Sequence, residues 1–248
     1  TRMTYKIEAQ DLAKCGWNYT SSSSFVTLSF WVKSSVAQNF YFIFNSADGT
    51  ARSYVMETGS LSADTWTKIV KTFPGDSNLT FDNNNGVGSY LYIYAYLGTT
   101  YADNSVSVNA WKNVSNPQTP VNTTTWWTTN DATFEITGLQ LEVGPQATAF
   151  EHRSFNEELL LCQRYYFKET STYYCGLGYG TNANSNCLGN LYQPVVMRAT
   201  PTVTLGAAQY WGTGPSGGGQ SKSYSFVYGS TSVSNGPRIA GYEMDAEI

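Results

Sequence analysis

Strand-like segments dominate the chain, and in the clearest of them apolar and polar residues alternate at a spacing of two, the pattern of a half-buried strand. Phe25-Val26-Thr27-Leu28-Ser29-Phe30-Trp31-Val32 is β-branched and aromatic, bounded by a serine run on one side and Ser34-Ser35 on the other. Phe40 to Phe44 predicts a second strand and Trp66 to Lys71 a third, followed by a turn at Asn83-Asn84-Asn85-Gly86. The clearest alternation runs from Ser89 to Leu97. Tyr90, Tyr92, Tyr94 and Tyr96 share one face there, and Leu91, Ile93, Ala95 and Leu97 the other. A sandwich strand buries one face and shows the other. The aliphatic set is therefore expected in the core and the tyrosine ladder outside.

Residues 102–125 are rich in Asn, Thr, Ser and Pro and predict a long irregular excursion; Asp131 to Val143 returns to strand around Gly138. A helix should follow. Ser154 with Glu157 three residues on makes a capping box, and Phe155, Leu159, Cys162 and Tyr166 fall near one helical face. Beyond it strands are predicted at Thr172 to Tyr174, Leu191-Tyr192, Val195 to Met197, Thr202 to Leu205, Tyr224 to Tyr228 and Ile239 to Met244. Pro201 precedes one of these, where a missing amide is tolerated. Gly212 to Gly219 predicts a loop tip. The expected class is all-β: a sandwich over residues 1–150, a short linker helix over 151–167, and a smaller antiparallel β domain over 168–248. The last region is short and poor in aliphatics, so it is expected to dock on the first or on sister chains.

Charged residues make up only 13% of the chain, about half the usual share. Ser, Thr, Asn, Gly and Tyr take their place and make a neutral, hydrogen-bonding surface. The 19 Tyr and 7 Trp suit both sheet packing and contact surfaces, and most are expected to fill the two sheets. A net charge of −4 with no basic run argues against a nucleic-acid partner. No stretch approaches the ~18 apolar residues of a membrane span, so no membrane insertion is expected.

Cys15, Cys162, Cys175 and Cys187 show no metal-ligand spacing. Cys175 and Cys187 flank one loop and are either bridged, if their strands pair, or separate buried thiols. The one histidine, His152, has no nucleophile and orienting acid in any recognisable pattern, and a structural hydrogen-bonding role is expected for it. Gly178-Tyr179-Gly180 and Gly217-Gly218-Gly219 lack the Lys and Ser/Thr of a phosphate loop. Glu157 and Glu158 are adjacent on a helix and point apart, so they cannot flank one bond. No repeat period of a β-helical depolymerase is present. The expectation is a protein that is not an enzyme.

Several segments resemble one bacteriophage module. They are Ile7-Glu8-Ala9-Gln10-Asp11-Leu12, Leu28-Ser29-Phe30-Trp31-Val32-Lys33-Ser34, and Ile136-Thr137-Gly138-Leu139-Gln140-Leu141-Glu142-Val143-Gly144. Ala147-Thr148-Ala149-Phe150-Glu151-His152-Arg153-Ser154-Phe155, running on through Cys162-Gln163-Arg164-Tyr165-Tyr166, is the most specific of them, and Gly241 to Ile248 resembles the usual end of such chains. The likeness is to the C-terminal region of phage tail-fibre and virion-fibre proteins. It implies a jelly-roll β-sandwich like that of carbohydrate-binding modules, followed by a compact β tip. Relatives usually carry Gly at the position of Ala9 and one or two strands before Thr4, so the sequence is expected to begin part-way through a longer polypeptide.

The resemblance further implies a virion-borne, extracellular structural protein that mediates host attachment. Its partners would be sister chains in a homotrimer, other virion proteins and a host cell-surface glycan. Sugar rings stack on aromatic faces, which makes Tyr90, Tyr92, Tyr94, Tyr96, Trp111, Trp126 and Trp127 the candidate ligand-binding residues. Carbohydrate-binding jelly rolls often hold a structural calcium. The late acidic position reads Thr137-Gly138 here, leaving Glu8, Asp11 and Glu142 as weak ligand candidates and no other cofactor. Two other readings stand beside this one: a capsid or tail decoration protein with a purely structural role, and a bacterial secreted carbohydrate-binding module.

Overall fold

A computed structural model describes residues 1–174, 186–209, 211–231 and 238–247. The chain is all-β and divides into two compact units, Thr1–Glu151 and His152–Ile248. No described helix is long and apolar enough to cross a membrane.

The first unit runs β1 (Arg2–Glu8), α1 (Ala9–Lys14), β2 (Phe25–Ser34), β3 (Tyr41–Ser46), β4 (Arg52–Glu57), β5 (Thr67–Pro74), β6 (Val87–Tyr94), β7 (Trp111–Asn113), α2 (Thr125–Thr128) and β8 (Phe134–Val143). Two antiparallel sheets result, one in the order β1-β6-β3-β4-β7 and one in the order β5-β2-β8. Their inner faces meet in an aromatic-rich core. Val26, Leu28, Phe30 and Val32 of β2 face Phe42 and Phe44 of β3, Leu91 and Ile93 of β6, and Tyr54 and Met56 of β4. Phe73 stacks on Tyr54 at 5.1 Å and meets Trp17 edge-on at 6.1 Å. Such ring pairs add about 1 kcal/mol each beyond the area they bury.

The alternation in β6 holds for Leu91 and Ile93, which enter this core, but the opposite face is not open. The excursion after β6 folds back over it. Ile43, Val55, Tyr94 and Val106 form a second buried cluster there, with Tyr92, Leu97 and Val108 against it. Tyr94 is only 2% exposed, which corrects the expected outward ladder. The strand also ends at Tyr94, and Leu97 joins this outer cluster rather than the sandwich core. The excursion itself is not wholly irregular. It contributes β7 to the sheet edge through Arg52↔Asn113 to Tyr54↔Trp111, and a bridge between Ala102 and Thr119.

β8 bends where Gly138, at φ +61°, sits in a bulge opposite β2. The chain then straps back over the outside of the three-stranded sheet. Thr27 donates to Gly144 O at 2.8 Å and Gln140 Oε1 accepts from Glu151 N at 2.8 Å. Thr27 and Ser29 are consequently buried although they face outward.

The second unit comprises α3 (Phe155–Gln163), β9 (Tyr166–Tyr174), β10 (Asn186–Leu191), β11 (Thr202–Leu205), β12 (Ala208–Gln209), β13 (Trp211–Gln220), β14 (Ser225–Thr231) and β15 (Arg238–Asp245). β15 lies between β9 on one side and β11 with β12 on the other, and β14 lies between β10 and β13. Leu191, Met197, Val227, Ile239, Tyr242 and Met244 form its core. The buried Arg198 is held by Ala246 O at 2.8 Å.

Three expectations are corrected in this unit. Gly212 to Gly219 is strand β13, because the backbone amides of a glycine-rich segment pair with β14 as well as any others. Val195 to Met197 is not strand; Met197 is buried from an irregular stretch, its backbone amide donating to Lys222 O at 2.7 Å. The capping box of α3 forms as expected, with Ser154 accepting from Glu157 N and Glu157 Oε2 accepting from Ser154 N at 2.9 Å. Yet α3 buries none of its side chains, and Tyr166 begins β9 instead of closing the helix. Cys175 lies outside the described residues, and with it the question of a bridge to Cys187.

Candidate ligand-binding site

The seven aromatic candidates separate into distinct roles. Trp111 belongs to the core edge. Its ring lies 5.1 Å from Tyr54 and 6.1 Å from Phe73, and its Nε1 donates to Pro74 O at 2.8 Å. Trp126 closes the other end of the sandwich, edge-on to Phe40, with its backbone amide donating to Gln38 Oε1 and its Nε1 to Thr133 O. Both are half-buried and structural. Their neighbour Trp127 is 54% exposed and stacks on Tyr96 with centroids 5.1 Å apart and planes 12° from parallel.

Tyr90 and Tyr92 stack at 5.4 Å and 10°, and the Arg2 guanidinium caps Tyr92 at 4.4 Å. Register explains the trio. Lys6 pairs with Tyr90, Thr4 with Tyr92 and Arg2 with Tyr94, and directly opposed residues share a face. Burial pushes the Tyr92 phenol above its ordinary pKa, against the opposing pull of Arg2.

Where β1 begins and β6 ends, the excursion leaves a cleft of about 290 Å³ lined by Thr1, Arg2, Tyr94, Leu97, Tyr101 and Gln118. Its walls are fixed. The Tyr94 hydroxyl donates to Gln118 Oε1 at 2.6 Å, Gln118 Nε2 donates to Asn116 Oδ1 at 3.1 Å, and the Gln118 amide donates to Tyr101 O at 2.7 Å. The Tyr101 ring remains exposed. The cleft is thus lined by an exposed ring, by Gln118 and by Arg2, at the low end of ligand-site volumes.

A second hollow of about 370 Å³ lies within the excursion, among Val106, Trp111, Lys112, Ser115 and Pro117. It is the larger space but offers less chemistry. Burial lowers the Lys112 pKa, and its Nζ already donates to Pro117 O.

The sequence pattern pointed to Tyr94 for a different reason, and it missed Arg2, Tyr101 and Gln118. One signal was available: Arg2-Met3-Thr4-Tyr5-Lys6-Ile7 alternates polar and apolar, which marks a strand whose polar face carries Arg2. Tyr101 and Gln118 carry no such signal because only the excursion's path brings them to β6.

The calcium candidates do not converge. Among the described residues no three His, Cys, Asp or Glu side chains form a group able to hold a metal. Glu8 is buried and accepts from Gln10 Nε2 at 2.6 Å. Burial would raise the Glu142 pKa, but hydrogen bonds from Thr148 and Gln140, with Lys68 nearby, outweigh it and hold the carboxyl below its usual range. Asp11 lies exposed on α1.

No protein-family model matches the chain, and no curated protein matches it.

Proposed function

We propose that this chain is a non-enzymatic glycan-recognition module of a bacteriophage fibre, acting in host attachment. The observation that carries the reading is the cleft at the Arg2 end of the five-stranded sheet, where Tyr101, Gln118, Tyr94 and Arg2 meet. Sugars are bound by this chemistry: an aromatic face for the C–H side of the ring, and amides and hydroxyls for its alcohols. The exposed Tyr96–Trp127 pair beside it offers a platform for a further sugar unit. Individually such contacts are weak, and several tethered copies on one fibre would reinforce one another.

A separate observation supports assembly with sister chains. α3 has nine residues, too few to be stable by itself in water. It exposes Leu159, Leu160 and Leu161 and leaves Phe155 78% exposed. Apolar surface of this kind on a short helix fits burial against a second copy. A purely structural decoration protein would share this feature but not the cleft.

Solution mass and a glycan array on the same preparation test the reading. A trimer that retains glycans supports it. A monomer that binds free oligosaccharides would instead fit a secreted carbohydrate-binding module, and an oligomer that binds no glycan would fit a decoration protein.

A further inference from the structure

We propose that the outer face of the three-stranded sheet β5-β2-β8 is a second glycan-contact surface, on which Trp31 and Trp66 receive adjoining rings of a neutral sugar chain. It rests on the glycan reading above for its class of ligand, but none of its residues lines the cleft and β1 does not join this sheet. Register sets the surface. Lys68 and Thr137 flank Trp31 on its two sides, and Glu135 opposes Lys33. Opposed residues share a face, as do residues two apart on one strand. Trp31 and Lys33 therefore stand on the side away from the Leu28, Phe30 and Val32 core. Trp66 just precedes β5 and meets Lys33, whose Nζ is 5.3 Å from its ring centre. The strap after β8 covers the other end of this face, where Thr27 and Ser29 are buried. The near end stays open, with Trp31 42% exposed, Trp66 41% and Phe150 42%. Phe150 borders the same ground: a Cβ at Gly138 would lie 3.5 Å from Trp31 Cδ1 and 3.8 Å from Phe150 Cδ2.

Indole bonding separates these tryptophans from the structural ones. Trp17, Trp111, Trp126 and Trp211 each donate their Nε1–H to a backbone carbonyl. Trp31 and Trp66 have no such acceptor among the described residues, a feature shared by the other exposed tryptophan, Trp127. Each thus keeps a donor for a sugar hydroxyl beside a ring for its C–H side.

Charge and area identify the occupant. Lys33 is paired with Glu135 at 2.8 Å and Lys68 lies near Glu142, so the face carries no net charge to draw an ionic ligand. Three aromatic rings exposed to this extent offer roughly 250 Å². A stable protein partner needs about 800 Å² on each side. The smaller area suits a short run of sugar. Trp66 is two residues before Lys68, the partner of Trp31, which sets the two tryptophans at a diagonal spacing of about 7–8 Å.

The test is an NMR titration of the full chain with cellohexaose, maltohexaose and mannohexaose, and with hexagalacturonate as the charged control. At least one neutral hexasaccharide is expected to shift the indole resonances of Trp31 and Trp66 together. Trp31→Ala and Trp66→Ala should each weaken that binding about fivefold, the loss of one stacked ring. Trp31→Phe, which keeps a ring, should cost less. Should an alanine variant fail to fold, the joint shift of the two indoles in the unaltered chain decides alone. Shifts confined to Tyr101 and Gln118 would overturn this surface and leave the cleft reading standing. Shifts confined to Trp31 and Trp66 would uphold it and count against the cleft. Tighter binding of hexagalacturonate would overturn the neutral assignment, and indole shifts that follow protein concentration without sugar would mark a contact between copies instead. If no sugar perturbs either surface, both readings fall.

Discussion

The Tyr94 hydroxyl and Gln118 Oε1, 2.6 Å apart, tie the strand that looks most exposed in sequence to the excursion that covers it. The bond lies over the outer cluster of Ile43, Val55 and Val106, and it forms one wall of the proposed sugar site. Tyr94→Phe keeps the ring and removes the donor. Stability should fall by about 1 kcal/mol in urea denaturation, because Gln118 Oε1 loses its partner. Backbone amides between residues 101 and 119 should exchange faster with solvent, and an unchanged exchange pattern would refute the anchoring role.

Trp126 and Trp127 are adjacent, yet their substitution should have opposite consequences. Trp126→Ala removes a ring packed against Phe40 and the Nε1 donor to Thr133 O, and about 2 kcal/mol of stability should go with it. Trp127→Ala removes an exposed ring that touches Tyr96, so stability should change by no more than about 0.5 kcal/mol. Glycan retention should drop for Trp127→Ala alone. Parallel denaturation curves and array signals for the two variants check this.

Asp76 should govern part of the acid sensitivity. Burial tends to raise its pKa, but hydrogen bonds from Asn78 and the Arg52 guanidinium at 3.2 Å outweigh that and hold the carboxyl below its ordinary value. A carboxyl depressed in the folded state contributes stability that is fully present above its unfolded pKa, about 3.9. That contribution is lost as pH falls from there through the folded value. Asp76→Asn should therefore lower stability near neutrality by about 1 kcal/mol and flatten the decline below pH ~4. Thermal melts from pH 7 to pH 2 would show it, and an equally steep acid limb in the variant would count against it.

Gly241 marks the register shift between Ala240 and Tyr242 in β15. Its φ is +79°, and a Cβ there would lie 2.2 Å from Glu169 O. Gly241→Ala must therefore displace β9 as well as strain the backbone, at a cost of about 3 kcal/mol. Calorimetry should show the transition of the second unit shifted to lower temperature, with that of the sandwich unmoved.

Much of the fold can be read from local pattern. Period-two alternation marked β6 and β8, apolar runs rich in aromatic and β-branched residues marked β2 and β3, and the Ser154–Glu157 box marked the start of α3, because all depend on residues a few positions apart. β13 was hidden because glycines carry no side-chain pattern, and β4 because its Ser53 to Met56 are buried on both faces. The candidate site was legible only in part. Tyr94 stood out by its spacing, while Tyr101 and Gln118 sit in a stretch that looks like featureless loop.

By itself the sequence determined the β class, the inward face of β6 and the scarcity of charge, all of which follow from local spacing and composition. Which side of the five-stranded sheet meets water was decided only in three dimensions. An excursion with no periodicity of its own buries Tyr94 once Val106 and Gln118 are brought over it, and pairing β1 beside β6 sets Arg2 on Tyr92. Alternation divides a strand into two faces. What covers each face is set by contacts between residues far apart along the chain.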